Sequence, residues 1–425
     1  MNTALFIFGT HPVLSLSEIA HTLPADADRI VDVTREGLVY KLKNESEGLH
    51  DHPVPDLSRL GGIIKIAEVF DRMPLYEDPR LDLTVHIAEY LQTTATPGEE
   101  LTFAISVYGD DAVNASNLCR FIKKELKERN LSQIRYVLPQ EDSKSLSSAQ
   151  VLHYGLTSQT TNTFEILIVK GTKQYFLART TAVQDIESYV LRDEGRPSRR
   201  RDEGMMPIKL TQMLINIALP QRDFEKAPLV LDPFCGSGTI LQEALRLGYD
   251  VVGTDINGNS IRSCQINLEW YTRKFMKNSP RSFQLFPLDA RKLTSAFAPG
   301  SFDAIISEGY LGTLYSQAPT EAQLAKEIPA LRDIYQKSLA AVYPILKPAG
   351  RIAIASPYYL RTRISIIRPL LDGLEKIGYN QPSLLPGIIS PAWAKVTEDG
   401  TCIYHRPDQI VGREIVLLEK STQRS

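Results

Sequence analysis

Apolar residues recur along the chain in short continuous runs separated by stretches of helical spacing. Ala4 to Phe8 forms a first run of strand length. A turn at His11-Pro12 follows, and then Leu14, Leu16, Ile19 and Leu23, a spacing that predicts a short helix. A strand is expected over 37–42 and a helix over 57–69 that includes Leu60-Gly61-Gly62. Further on, helical spacing covers 83–91, alternation over 101–108 predicts a strand, and 117–129 reads as an amphipathic helix. Residues 163–169 and 174–178 form a strand pair turned by Lys170-Gly171-Thr172-Lys173. After residue 207 the rhythm is more regular. Strands are expected at 229–231, 250–254, 283–288, 302–306 and 351–356. Helices are expected at 208–219, 239–245, 259–277, 321–346 and 366–377, with final strands at 401–404 and 413–418. Strands alternating with helices predict an α/β fold built on a mostly parallel sheet.

These patterns divide the chain into an α/β unit over 1–75, a second over 76–185, a charge-rich linker over 186–207 and a catalytic α/β domain over 208–425. The 425 residues leave room for that division. Lys and Arg number 48 against 50 Asp and Glu, a net charge of −2. No global basic field exists, so contact with nucleic acid would have to come from local patches. The cysteines (Cys119, Cys235, Cys264, Cys402) form no close pairs, which excludes a disulfide framework and a zinc site as expectations. His11 and His21 have no metal-ligand partners at useful spacing, and no metal is expected. There is no signal pattern and no apolar run of membrane length, so a reduced, cytoplasmic protein is expected.

Candidate chemistry is densest over 229–245. An apolar run, Leu229-Val230-Leu231, breaks at Asp232-Pro233, passes through Phe234-Cys235-Gly236-Ser237-Gly238, and restarts at Thr239 as a helix ended near Gly248. Strand, glycine turn and helix N-terminus together offer close backbone approach and free N–H groups to a ligand. A dinucleotide loop would need a third glycine, which is missing. The order Asp232-Pro233-Phe234-Cys235-Gly236-Ser237-Gly238-Thr239 resembles the S-adenosylmethionine loop of amino-group methyltransferases. Cys235 is expected to pack, not to react. Each early strand of the catalytic domain ends in a polar group: Asp232, Asp255 before Ile256, Asp289 before Ala290, and Ser307 with Glu308. In open α/β sheets the ligand lies beyond those carboxyl ends. An acid after the second strand can accept both hydroxyls of a ribose, and one after the third can accept an adenine amino group.

Over nearly its whole length the chain resembles the THUMP-containing tRNA guanine-N2 methyltransferases, which methylate guanosine 10 of tRNA. The resemblance is carried by Phe6-Ile7-Phe8-Gly9-Thr10-His11-Pro12, by Leu60-Gly61-Gly62-Ile63, by Arg196-Pro197 and Met205-Met206-Pro207-Ile208-Lys209, and by the glycine loop. It implies a Rossmann-like class I methyltransferase domain preceded by a ferredoxin-like N-terminal domain and a THUMP RNA-binding domain. S-adenosyl-L-methionine is implied as cofactor and tRNA as substrate; whether a small activating partner is needed, as in some relatives, stays open. It also assigns cofactor binding to Asp232, Pro233, Phe234, Cys235, Gly236, Gly238, Thr239, Asp255, Ile256, Asp289 and Ala290. Lys209 and Pro207 fall where such enzymes contact the methionine end of the cofactor, or simply start a helix.

One motif departs from the family. Where Asp-Pro-Pro-Tyr is usual, this chain has Ser307-Glu308-Gly309-Tyr310, with both prolines gone. Ser307 and Glu308 are expected to share the acceptor role of the usual aspartate on the guanine amino group, and Tyr310 to stack on the extruded base. For RNA contact the candidates are Lys123 and Lys124 on the basic helix and Arg196, Arg199, Arg200 and Arg201 in the linker; a solvated face is the competing reading. The loop Tyr404 to Gln409 is either a base contact or an ordinary hairpin. Two other functions stay open: an N6-adenine or ribosomal-RNA guanine methyltransferase, and an RNA-binding relative whose catalytic centre has decayed.

Overall fold

The computed structural model describes residues 3–24, 26–42, 54–141, 143–158, 162–198, 205–220, 226–277, 279–387, 389–407 and 409–422. Its first half runs β1 (Thr3–Phe8), α1 (Pro12–Thr22), β2 (Ile30–Val33), β3 (Gly37–Lys41), β4 (Ile63–Pro74), α2 (Arg80–Thr94), β5 (Leu101–Tyr108), α3 (Ala115–Glu128), β6 (Ile134–Val137), α4 (Ser148–His153), β7 (Thr163–Lys170) and β8 (Gln174–Val183). These strands form one eight-stranded sheet in the order β2-β3-β1-β4-β8-β7-β5-β6. The segments 1–75 and 76–185 therefore share a sheet, joined where β4 runs antiparallel to β8 from Lys65–Val183 to Pro74–Gln174.

The helix expected over 57–69 is not there. Residues Leu57–Arg59 make a single 3-10 turn, and the chain then extends for twelve residues as β4. Gly61 and Gly62 are poor helix interiors, and the β-branched Ile63, Ile64, Ile66 and Val69 favour a pleated strand. Because β4 lies mid-sheet, apolar residues on both its faces mask the alternation that would have marked a strand.

The segment 186–198 of the charge-rich linker docks through two buried arginines, Arg192 and Arg196. Its α5 (Ile186–Glu194) buries Arg192, whose Nε donates to Glu243 Oε1 at 2.9 Å. Glu243 is itself fully buried. Arg192 is thus buried and paired, while Glu187 and Glu194 stay exposed.

The second half comprises α6 (Ile208–Ala218), β9 (Leu229–Asp232), α7 (Thr239–Arg246), β10 (Asp250–Asp255), α8 (Gly258–Phe275), β11 (Phe283–Pro287), β12 (Phe302–Glu308), α9 (Glu321–Ile345), β13 (Leu346–Tyr359), β14 (Ile364–Ser365), α10 (Leu371–Ile377), β15 (Tyr379–Asn380), β16 (Cys402–Tyr404) and β17 (Val411–Lys420). Its main sheet order is β11-β10-β9-β12-β13-β17-β15. Strands β11 through β13 are parallel, and β17 lies antiparallel to β13. The chain walks outward from β9 to β11 and then returns to place β12 on the other side of β9. That reversal opens a crevice at the carboxyl ends of β9 and β12. Helices cover both faces. Val230, Val251, Ala304 and Ile306 meet Leu214, Leu241 and Leu268 on one side. Leu231, Ile305, Ile352 and Ile354 meet Leu331, Tyr335 and Leu339 on the other. Burial on both faces explains why these strands read as continuous apolar runs.

The halves lock through a buried carboxylate. Glu18 on α1 accepts from the Gly61 and Gly62 backbone N–H groups at 2.8 and 2.7 Å, and from Asn216 Nδ2 on α6 at 2.7 Å. Burial pushes its carboxyl up to about 7 against the pull of those three donors.

Candidate active site

Above the switch point lies a cavity of about 510 Å³. The glycine loop forms its floor. Gly236 and Gly238 take φ of +51° and +89°, a left-handed conformation that side-chain-bearing residues rarely adopt. A Cβ on Gly238 would also sit 2.6 Å from Cys264 Sγ, so the loop packs directly on α8. Among the described residues no side chain caps the N-terminus of α7.

Of the residues assigned to the cofactor, all but Gly238 line this cavity: Asp232, Pro233, Phe234, Cys235, Gly236, Thr239, Asp255, Ile256, Asp289 and Ala290. Asp255 braces the loop, its Oδ2 accepting from Gly236 N at 3.1 Å and its Oδ1 from Asn257 N at 2.8 Å. Asp289 accepts from Arg291 N and pairs with the Arg291 guanidinium at 2.6 Å, which holds its carboxyl below the usual range. Asp232 is 1% exposed. Burial raises its carboxyl to about 7, against hydrogen bonds from Ser307 and Phe234 N that favour the charged form. Cys235 is buried against Cys264, and both that contact and burial push its thiol up, as expected of a packing residue.

The opposite wall holds Glu308, Gly309, Tyr310, Leu311, Gly312 and Leu314. Glu308 forms an ion pair with Arg413 of β17. Burial raises its carboxyl and Arg413 opposes the rise. Tyr310 is 51% exposed at the cleft mouth. Behind it, Tyr335 of α9 donates to the Tyr310 carbonyl at 3.2 Å, and Glu327 accepts from Thr313 N and from the Tyr315 hydroxyl. Gly309 is needed here: a Cβ would lie 2.2 Å from the hydroxyl of the fully buried Tyr335. Gly309→Ala is expected to cost about 1–3 kcal/mol through overpacking. Thermal unfolding would show it as a lower Tm, and an unchanged Tm would mean that Tyr335 moves aside freely.

Two sequence expectations need correcting. Ser307 does not face the cleft. Strand β12 runs to Glu308 rather than ending at Ile306, and successive side chains of a strand point to opposite faces. Ser307 is fully buried and its Oγ donates to Asp232 Oδ1 at 2.6 Å, bracing that acid from beneath. Arg196 is not offered to RNA either. It is 4% exposed, donates to Thr239 Oγ1 at 2.7 Å and pairs with Asp193 at 3.1 Å, tying the segment after α5 to the glycine loop's helix.

Arg199, Arg200 and Arg201 lie outside the described residues. On α3, which buries Leu118, Ile122 and Leu126, Lys123 is half-buried and lies 5.5 Å over the Tyr136 ring, and exposed Lys124 pairs with Glu128 at 3.7 Å; neither lines the cavity. Lys209 and Pro207 line a separate cavity of about 580 Å³ beside the first. Tyr404 meets His11 in a tilted ring contact with centroids 4.2 Å apart. Sequence reasoning missed Met205, Met206, Asn257 and Arg291 in the cavity wall and Arg413, Tyr335 and Glu327 behind it. For Arg413 a signal existed: a charge inside a run that otherwise reads as a buried strand.

The fold is that of an α/β methyltransferase with a Rossmann-like domain. A family model described as a methyltransferase domain matches residues 224–390, and one described as a DNA methylase matches 115–266. In sequence the chain is similar to the tRNA (guanine(10)-N2)-dimethyltransferase of Pyrococcus abyssi, with 30% identity over 39% of this chain and 43% of that protein. It is also similar to the enzyme of the same name from Methanothermobacter thermautotrophicus, with 28% identity over 44% of this chain and 48% of that one. The matches thus span about half the length of these relatives. Among solved structures, TrmN from Thermus thermophilus superposes with a TM-score of 0.51 at 16% identity, covering 99% of this chain and 100% of that one; this likeness is one of fold.

Proposed function

We propose that this chain is an S-adenosylmethionine-dependent methyltransferase acting on the exocyclic N2 amine of a guanosine in tRNA. One observation carries the reading. The glycine loop and the strand-end acids form one wall of a single cavity, and Glu308, Gly309 and Tyr310 form the facing wall. The names of the relatives supply the substrate class.

The cavity fits the cofactor chemically. Asp232, Asp255, Asp289 and Glu308 give it an acidic lining suited to a cation. When bound, S-adenosylmethionine supplies an electrophilic methyl group on a positively charged sulfonium. Asp255 would accept from ribose hydroxyls and Asp289 from the adenine amino group. On the substrate side, a guanine amine is a poor nucleophile because its lone pair is delocalised into the ring. An acceptor on its N–H bonds favours the pyramidal amine, and orientation supplies much of the remainder. Glu308 has that role: one oxygen is held by Arg413, and the other has no protein partner among the described residues. Tyr310 stacks on the base, worth roughly 1–3 kcal/mol, against the few kcal/mol that extrusion costs. We read residues 1–75 as a ferredoxin-like domain and 76–185 as a THUMP domain that holds the RNA, with Lys123 and Lys124 meeting phosphates.

Asp232 makes cofactor binding pH-dependent. Its carboxyl, ordinarily near 3.8, sits at about 7 in the folded chain. A bound cation favours the ionised form. Affinity is therefore expected to rise with pH up to about 7 and to level off above, with a proton released on binding at lower pH. The same shift makes Asp232 stabilise the fold fully at acid pH and progressively less as pH rises to about 7. Isothermal titration calorimetry across that range reads both the affinity and the proton. Asp232→Asn should flatten the profile, and a flat wild-type profile would remove Asp232 from this role.

The whole reading is tested by incubating the chain with labelled S-adenosylmethionine and bulk tRNA, then digesting and identifying the nucleoside. N2-methylguanosine or its dimethyl form is expected. Methyladenosine would overturn the guanine assignment, incorporation into ribosomal RNA alone would overturn tRNA, and cofactor binding without transfer would favour a decayed centre. Transfer that appears only on adding cell extract would point to an activating partner.

A further inference from the structure

The loop carrying the acceptor side contains no proline from Ser307 to Ala318 and holds Gly309 and Gly312. Such a chain is flexible on its own. Its head is nevertheless tethered. Glu308 pairs in register with Ala355 on β13, while Arg413 pairs with Pro357 on the far side of the same strand and with Tyr404 on β16. Glu308 and Arg413 therefore sit on strands separated by one intervening strand, roughly 10 Å apart at the backbone. Their ion pair bridges that gap. Side-chain exposure is only 4% for Arg413 and 15% for Glu308.

A buried ion pair is expensive to maintain and is weak evidence for stability alone. Position gives this one a different meaning, because Glu308 lines the cavity. The charged and titratable groups around it are Arg413 on β17, Asp232 on β9, Tyr335 on α9 and Tyr404 on β16. Asp232 repels its charge, burial disfavours it, and among these groups Arg413 alone is cationic.

We infer that Arg413 is a positioning residue for methyl transfer: it holds Glu308 ionised and fixed at the cleft wall, supplying from β17 the restraint that a proline-rigid loop would supply locally. The inference rests on the role of Glu308 proposed above. Arginine suits the task because its guanidinium keeps its charge at every working pH and offers several donors at once. Tyr404, in tilted ring contact with His11 of the N-terminal half, backs the strand that carries Arg413.

The test uses the full chain with Arg413→Gln and Arg413→Lys. Cofactor affinity is read by calorimetry, folding by thermal melt, and kcat and KM for tRNA across pH. For Arg413→Gln the acid limb of kcat is expected to move up by about one pH unit or more. Cofactor affinity should stay within about twofold, and KM should change less than kcat. Arg413→Lys keeps the charge and should restore most of the rate near neutral pH. A folded Arg413→Gln protein with wild-type kcat, or with a fall equal at every pH, would overturn the inference. Should Arg413→Gln not fold, Arg413→Lys carries the test through the infrared carboxylate band of Glu308, assigned by its loss in Glu308→Gln. That band should persist in mildly acid solution for wild type and Arg413→Lys; a protonated Glu308 in wild type at neutral pH would overturn the inference. The infrared measurement needs no turnover, so it stands apart from failure of the methylation assay.

Discussion

Glu308→Gln is expected to lower kcat for methyl transfer by roughly 30- to 150-fold, with cofactor affinity almost unchanged. The substitution keeps size and shape and still lets an amide oxygen accept from Arg413. It removes the charge from the acceptor facing the amine. A hydrogen bond to a charged group is worth about 1.5–3 kcal/mol net, and with its oxygen on Arg413 the glutamine turns its NH2, which cannot accept, toward the amine, so nearly all of that is lost. Losing about 2–3 kcal/mol that acts only as the amine becomes nucleophilic gives the stated range through the rate equation. The interaction is made with the substrate and not the cofactor, so the loss belongs in kcat rather than in cofactor Kd. The variant also leaves Arg413 buried without its countercharge, and a lower Tm should accompany the rate change. Single-turnover transfer at a temperature where both proteins are folded separates the two effects. Transfer at the wild-type rate under those conditions would exclude Glu308 as the acceptor.

The glycine-loop wall of this cleft was legible in the sequence because its signals are local. A strand, a glycine turn and a helix start lie within residues 229–245, and each later strand ends in its acid a few residues before the next turn. Parallel strands buried on both faces spell themselves as apolar runs, which is why β9, β10 and β12 were found close to their true bounds. The acceptor side was legible only to its residue types. Ser307 and Glu308 are neighbours in sequence, and their opposite directions follow from a strand two residues longer than the apolar run suggested. The arginine that pairs with Glu308 lies 105 positions away, across one strand, and no local pattern connects them.

Where charge was dense, the sequence was ambiguous for the same reason. Arg192 and Arg196 look like solvated arginines until Glu243, Asp193 and Thr239 are placed beside them. Their burial links the segment after the first sheet to the helix that begins at the glycine loop. The N-terminal half is thereby joined to the glycine-loop floor of the cleft, and Glu18 adds a second joint through Asn216. In the N-terminal sheet the failure was one of period. Central burial of β4 removed the alternation, and two glycines next to an isoleucine-rich stretch were the remaining clue that a helix was wrong there.

Asp255→Ala is expected to weaken S-adenosylmethionine binding by roughly 100-fold, with Asp255→Asn falling between that and wild type. Two losses combine. The carboxylate braces the loop through Gly236 N and Asn257 N, and without it the left-handed turn at Gly236 must be held by its remaining contacts alone. A carboxylate at this strand end would also accept from the ribose, at about 1.5–3 kcal/mol for a charge-assisted bond. A total near 3 kcal/mol corresponds to a little over two powers of ten in Kd. Asparagine keeps one neutral acceptor oxygen and should recover about half of that energy. The loop lies at the ligand and not in the core, so the unliganded melting temperature should move little, while the stabilisation added by saturating cofactor should largely disappear from the variant. Calorimetric Kd and cofactor-dependent melting read the two quantities separately. Wild-type affinity in Asp255→Ala would mean that the cofactor lies elsewhere in the cleft, and the assignment of the whole β9–β10 corner would fall with it.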